Sequence, residues 1–409
     1  MKKTSPFFSV SALALLAAMP AAAQDATSAS SLLTDSSAGL DLRYRLELVD
    51  QDGFSKNATA STLLTKLWFK TAEVNGFSAY VEGTNVLVLG SETYNNTVNG
   101  NTSRPVVADP DVTEFNQGYI QYRNDDFTLK AGRQGINLGN QRFVGTVGFR
   151  QNDQTYDAAA AIFTPTKDLT AIYGYVWNVN RIFGNDHPFG DLDTNTQVVN
   201  VIYSGSEFAK ITAYAYLIDL NDAPVFGLSS STYGARVEGN KAVSDTLKMG
   251  YEIEFASQSD YKDNPNNYSA AYWNASLSAS SSGFTGQIGY ELLGSDNGFA
   301  FQTPLATLHK FNGWADKFLS TPGAGLEDLN ASVAYKVPGN TGLGGTLFKL
   351  VYHDFSSDVG NSSYGSEIDA LISKKVSKNI TASVKAAFYN ADGFATDTNK
   401  VWFTMAAKF

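Results

Sequence analysis

Stretches of about ten residues in which apolar and polar side chains alternate recur along this chain, and no other feature restricts its fold as much. In GLDLRYRLELV (39–49), Leu40, Leu42, Tyr44, Leu46 and Leu48 share one parity, and Asp41, Arg43, Arg45 and Glu47 share the other. LKMGYEIEF (247–255) sets Leu247, Met249, Tyr251, Ile253 and Phe255 against Lys248, Glu252 and Glu254. FTGQIGYEL (284–292), ITASVKAAF (380–388) and the closing KVWFTMAAKF (400–409) repeat the pattern. Successive side chains of a strand point to opposite faces, so each stretch reads as a strand with one apolar face. The period is two rather than 3.6, which argues against amphipathic helices.

The length of these strands and the rhythm of their connections decide what the apolar faces meet. About ten tilted residues cross a bilayer as a strand, whereas a helix needs about 20 continuous apolar residues, and no such run follows the N-terminal leader. We read about 18 strands. Short connectors at 75–76, 124–126, 164–168, 204–206, 241–246, 280–283, 338–344 and 374–379 are interleaved with longer polar stretches that include 90–112, 135–154, 181–195 and 294–327. Tight turns at one end and long loops at the other are expected of an all-β transmembrane antiparallel barrel with short periplasmic turns and long extracellular loops. Lipid offers no water to unpaired backbone groups, so the strand starting near Gly39 must pair with 400–409 and leave no open edge. On that reading Phe409 faces lipid, and a terminal aromatic residue on an amphipathic last strand resembles the recognition signal of bacterial outer-membrane barrels, which implies the barrel-assembly machinery as a partner.

The remaining composition bounds the compartment and the partners. A basic head (Lys2, Lys3), an apolar run and Ala21–Ala22–Ala23 form a signal peptide over 1–23, which implies export. Residues 24–38 are expected to be a short periplasmic tail and 39–409 the outer-membrane barrel of a Gram-negative bacterium, in contact with lipid and lipopolysaccharide. The chain has no cysteine and only three histidines, far apart in sequence, so no metal site and no cofactor is expected. A formal net charge of −10 disfavours nucleic acid.

Two segments carry a family likeness. LKAGRQGINLGNQRFVGTVGFRQNDQTYDA (129–158) resembles the signature of the alginate export family of outer-membrane porins, and FQTPLATLHKFNGWADKFLSTPGAGLEDL (301–329) resembles a second block of that family, with weaker likeness at YGSEID (364–369). The resemblance implies an 18-stranded barrel with a charged lumen, and a channel whose best-known relative exports an anionic polysaccharide.

Nine arginines occur, five of them between residues 104 and 150. Arg133, Arg142 and Arg150 lie eight to nine residues apart in a Gly- and Asn-rich connector and would line a constriction if it folds inward. Strand parity also turns Arg43, Arg45, Lys66, Lys70, Lys130, Lys210, Lys336 and Lys385 toward the lumen, where such cations would bind a polar or anionic solute. The alternative is that they pair internally with Glu47, Glu252, Glu254, Glu291, Glu367 and Asp369. Arg133 has the parity of the apolar Phe127 and Leu129, so its strand is expected to end or bulge before it. The connector 294–327 is too apolar for a free loop, and the spacing of Leu305, Leu308, Phe311, Trp314, Phe318 and Leu319 predicts a short helix over 305–319 that folds into the lumen as a partial plug. A barrel-embedded hydrolase using His353, or a purely adhesive or structural barrel, are the other function classes; no nucleophile signature accompanies His353.

Overall fold

The computed structural model describes residues 33–223, 225–339 and 342–409, so the expected signal peptide and most of the expected tail lie outside the described residues. Among the described residues the strands run β1 (Ser37–Gln51), β2 (Ala58–Lys70), β3 (Phe77–Val88), β4 (Val112–Arg123), β5 (Phe127–Gln134), β6 (Thr155–Thr166), β7 (Leu169–Asn180), β8 (Asp191–Tyr203), β9 (Lys210–Ile218) and β10 (Ser230–Ala242). They continue with β11 (Lys248–Asp260), β12 (Ser269–Ser281), β13 (Phe284–Leu293), the two-residue pair β14 (Ser295–Asp296) and β15 (Phe299–Ala300), then β16 (Leu326–Lys336), β17 (Leu347–Ser356), β18 (Ser363–Lys375), β19 (Ile380–Ala391) and β20 (Thr398–Lys408). Apart from the small β14–β15 hairpin, every strand pairs antiparallel with its neighbours in sequence, and β1 pairs with β20. The sheet is therefore a closed barrel of 18 strands.

The seam is sealed to the last residue. The Leu40 N–H donates to the Phe409 carbonyl at 3.1 Å, and the Phe409 N–H donates to the Leu40 carbonyl at 2.9 Å. Along β20 the two parities separate cleanly. Phe403, Met405 and Phe409 are exposed, while Lys400 and Trp402 are buried on the inner side. The same holds for β11, where Met249, Ile253 and Phe255 face out and Glu254 is buried within. Rings on the outer face pair at the strand ends: Phe77 with Tyr122 at 4.9 Å, Phe127 with Phe163 at 4.5 Å and Phe284 with Tyr335 at 4.2 Å, as in the interfacial girdle of a membrane barrel.

Turn chemistry places the short connections at one end. Asn75 and Gly76 both take positive φ (51° and 83°), as a tight hairpin requires, and a Cβ on Gly76 would lie 2.4 Å from the Arg123 carbonyl. At the opposite end, residues 89–111, 135–154 and 294–325 form the longest connections. Burial divides the lumen along the same axis. Inner-face residues near the long loops, such as Glu47, Tyr156, Tyr272, Phe355 and Tyr389, are buried, whereas Lys70, Lys210, Gln287 and Lys336 near the short turns are exposed.

This facing has a measurable consequence. Ile288 on β13 points outward and its neighbour Gln287 points into the lumen. Ile288→Arg should lower folding stability in lipid vesicles by about 2–4 kcal/mol and Gln287→Arg by far less; equal losses in urea titrations would contradict the assignment of faces.

Candidate functional site: the barrel lumen

The connector 135–154 turns inward and meets the connector 294–325 inside the ring of strands. Val144 and Leu305 form a parallel bridge, the Gly145 N–H donates to the Leu305 carbonyl at 2.9 Å, and the Thr307 N–H donates to the Gln141 carbonyl at 3.1 Å. The approach is so close that a Cβ on Gly145 would sit 2.2 Å from Thr307 Oγ1. Apolar side chains of both loops pack against the inner wall. Phe143 lies among Tyr214, Tyr216, Tyr272 and Phe301, and Phe318 among Phe355, Tyr364, Tyr389 and Phe394.

Two of the three loop arginines anchor this assembly. Arg142, 2% exposed, donates through Nε to Glu291 Oε1 at 2.7 Å, and through Nη2 to Asn312 Oδ1 at 2.9 Å. Arg150 bridges Glu47 Oε2 on β1 and Asp316 Oδ2, each at 3.0 Å, with Asp109 at 3.7 Å. Arg133 joins neither. Its strand runs on through Gln134 with unbroken register against β6, so Arg133 keeps the outward parity of Phe127 and Leu129. No bulge is needed because Asp157 stands opposite and accepts from Nε at 2.7 Å and Nη2 at 3.0 Å.

The strand cations divide into paired and unpaired groups. Arg43 donates to Gln151 Oε1 and to the Gly148 carbonyl, both at 2.8 Å. Arg45 donates to the Phe149 carbonyl at 2.7 Å and lies over that ring. Lys66 pairs with Asp153. These three hold the inward loop. Lys70 and Lys130, by contrast, have no carboxylate partner among the described residues, and Lys130 rests over the Tyr119 ring at 4.4 Å. Lys336 also lacks one there, whereas the Asp369 carboxylate acts electrostatically on Lys349.

Residues 305–319 do not form the expected helix; only Leu308–Lys310 makes a single 3-10 turn. Asn312, Gly313 and Asp316 take positive φ, and the backbone N–H groups that a helix would use are turned to the wall instead. Those of Trp314 and Ala315 donate to Glu367 Oε1 at 2.5 and 2.8 Å. Asp316 collects Arg150, Lys400 at 3.1 Å and His309 at 2.7 Å. Burial pushes the His309 imidazole down to about 3, so the ring is neutral: Nδ1–H donates to Asp316 and Nε2 accepts from Lys385 at 2.6 Å. Burial alone would raise the Asp316 carboxyl, but His309, Lys400 and Arg150 outweigh it and hold Asp316 well below its usual range.

His353 faces the same interior, 2.9 Å from Asp328 Oδ1, and so away from lipid. Beneath the loops the lumen opens toward the short turns. A cavity of about 580 Å³ on the β9–β13 side is lined by Ser276, Ser278, Asn240, Gln287 and the charged Lys210, Glu238 and Glu252. There Arg236 is shared by Glu238 and Glu252, so charges on that wall offset one another. The β2–β5 wall opposite carries the unpaired Lys70 and Lys130. Parity picked out the lysines and Glu367, but not Asp316 or Asn312, whose roles depend on contacts between distant segments.

Comparison with known proteins agrees with this architecture. Three solved structures share the fold: OccK5 (OpdH) of Pseudomonas aeruginosa (13% identity, 92% of this chain and 99% of that one, TM-score 0.72), OccAB2 of Acinetobacter baumannii (15%, 93% and 99%, 0.73) and the outer membrane protein OpdK of P. aeruginosa (14%, 91% and 98%, 0.70). No curated protein matches the chain. The alginate export family model matches residues 35–270, more than half of the sequence and the stretch that includes Arg142 and Arg150. The chain belongs to the alginate export family and is an outer-membrane porin, a channel rather than an enzyme.

Proposed function

We propose that this porin passes polar solutes that carry negative charge, oligosaccharides among them, and that the loops 135–154 and 294–325 together plug the outer half of its lumen. The observation that carries the anion preference is the uneven use of charge. Lumen carboxylates such as Glu47, Glu82, Glu291 and Asp328 are engaged by arginine, lysine, histidine or amide partners. Lys70, Lys130 and Lys336 are not engaged by any carboxylate among the described residues, so the open vestibule presents a surplus of cations. Rings of unpaired cations favour anions in a pore. The plug reading rests on the buried pairs around Arg142, Arg150 and Asp316, which tie the two loops to each other and to β1, β13 and β20.

Three further assignments belong to the same reading. Residues 1–23 direct export and are cleaved, β20 with the Phe409 that follows it is recognised by the barrel-assembly machinery, and the outer rim contacts lipopolysaccharide.

In planar bilayers with a salt gradient, the reversal potential should report anion over cation passage, and Lys70→Glu with Lys130→Glu should move the ratio several-fold toward cations. A cation preference in the unmodified protein would overturn the reading. Arg150→Met leaves Glu47, Asp109 and Asp316 short of a cation at a cost of about 3–5 kcal/mol. Single-channel conductance should rise and fluctuate in that variant, and rise further on deletion of 301–323; unchanged conductance in both would remove the plug.

A further inference from the structure

The short-turn rim of the barrel divides by charge. Between β2 and β11 its turns carry Glu73, Asp125, Asp126, Asp168, Glu207 and Asp245 among their cations, and Glu73 pairs with Arg123 at 2.8 Å. From β12 onward the turns 282–283, 337–346 and 376–379 contain no acidic residue, yet Lys374, Lys375 and Lys378 crowd the β18–β19 connection. None of these three lysines meets a carboxylate among the described residues. Asp41 at the start of β1 is taken by Lys408 at 3.4 Å, and the terminal carboxylate of Phe409 makes no ion pair with the three lysines there. The turn holding Lys378 is ordered by its own backbone. The Val376 N–H donates to the Ile380 carbonyl at 2.8 Å, and Ser377 Oγ accepts from the Ile380 N–H at 3.2 Å.

Register sets the depth of this cluster. Tyr335, in the girdle pair with Phe284, stands opposite Phe348, and Phe348 stands opposite Ile372, which is exposed on the outer face. Lys374 keeps the outward parity of Ile368 and Ile372 and lies beyond them toward the turn, where hydrocarbon gives way to headgroups. Its ammonium donates to the Gly342 carbonyl, which brings the β16–β17 connection beside the same outer face. Two apolar side chains accompany the charge. Leu343 is 66% exposed and Val376 62%, more than the lipid-facing Ile372 at 47%.

We propose that Lys374, Lys375 and Lys378 seat the phosphate headgroup of an anionic phospholipid of the periplasmic leaflet, with Leu343 and Val376 against its glycerol and upper acyl chains. The occupant follows from charge and apolar surface taken together. Unpaired ammonium groups beside a membrane attract anionic lipid and donate directly to its phosphate at contact. An acidic protein or a free phosphate would satisfy the lysines but leave Leu343 and Val376 without an apolar partner. A phospholipid meets both, and its chains continue along the face of Ile372. Phosphatidylglycerol keeps a net negative charge, whereas the ammonium of phosphatidylethanolamine offsets its phosphate, so the seat discriminates between two lipids with the same chains. The inference concerns the outside of the barrel and does not depend on which solute crosses the lumen.

The test is native mass spectrometry of the full-length porin equilibrated with equimolar phosphatidylglycerol and phosphatidylethanolamine of identical acyl chains. Retained phosphatidylglycerol should exceed phosphatidylethanolamine about fivefold or more. Combining Lys374→Gln, Lys375→Gln and Lys378→Gln should bring the ratio close to unity, while Lys374→Arg, Lys375→Arg and Lys378→Arg together should keep it. Lys241→Gln with Lys248→Gln, on the mixed side of the rim, should leave it unchanged. Leu343→Ser should lower phosphatidylglycerol retention about two- to threefold through lost apolar contact alone. Equal retention of both lipids by the unmodified protein, or a preference that survives the triple glutamine variant, would overturn the seat. Inorganic phosphate that displaces phosphatidylglycerol at comparable concentration, or retention indifferent to Leu343→Ser, would overturn a lipid as its occupant. Heat-dependent mobility on gels verifies that each variant is folded. Lys378→Gln alone, confined to the turn, should lower the ratio about twofold or more and keeps the test decisive if the triple variant fails to assemble.

Discussion

Every backbone N–H and C=O at membrane depth must find its partner within the protein, because hydrocarbon supplies none. In this chain that demand is met by the pairing of β1 with β20, which converts a long meander into a ring without edges. The contact between Leu40 and Phe409 extends the seam to the terminal residue. Once the ring is closed, the alternation of side chains ceases to be a local pattern. It becomes a division of the molecule into an apolar outside and a polar inside. The inside of an 18-stranded ring is wide, and what occupies it is the next physical question.

The answer is two loops bound by charge as well as by grease. Phe143 and Phe318 supply apolar contacts to the inner wall, but Arg142, Arg150, Asp316 and Glu367 set where the loops lie. Each of these groups is nearly inaccessible to water and each has partners on a different segment. Burying a charge is costly unless it is paired, and removing one partner of a buried pair costs more than the pair contributes. Such a network therefore acts through specificity: the loops have few alternative positions in which all these charges are met. The lower lumen has no such filling. There Lys210 and Arg236 pair with carboxylates, whereas Lys70 and Lys130 meet none among the described residues.

Much of this was legible in the one-dimensional pattern. The strand number, the outward face of β11, β13, β19 and β20, and the inward turn of Lys66, Lys70 and Lys130 follow from parity, because a strand leaves a side chain only two directions. Arg133 shows where parity is the better guide than the intuition that a charge turns inward. Its outward position is tolerated because Asp157 stands across the β5–β6 pair, a contact 24 residues away that spacing does not reveal. The helix expected over 305–319 failed for a similar reason. Its apolar spacing was real, but the side chains pack on a barrel wall on several sides, and Glu367 draws the Trp314 and Ala315 amides out of any helical ladder.

By itself the sequence determined that this chain is a ring of amphipathic strands, since a period of two over ten residues, with tight turns alternating with long loops, has no other way to satisfy its backbone in lipid. Tertiary structure alone decided which cations are spent and which remain. Arg142 and Arg150 meet carboxylates 149 and 103 residues away, whereas Lys70 and Lys130 meet none among the described residues. Charge pairing across a lumen depends on the path of loops through space, and a loop's path is set by the walls it touches rather than by its own periodicity.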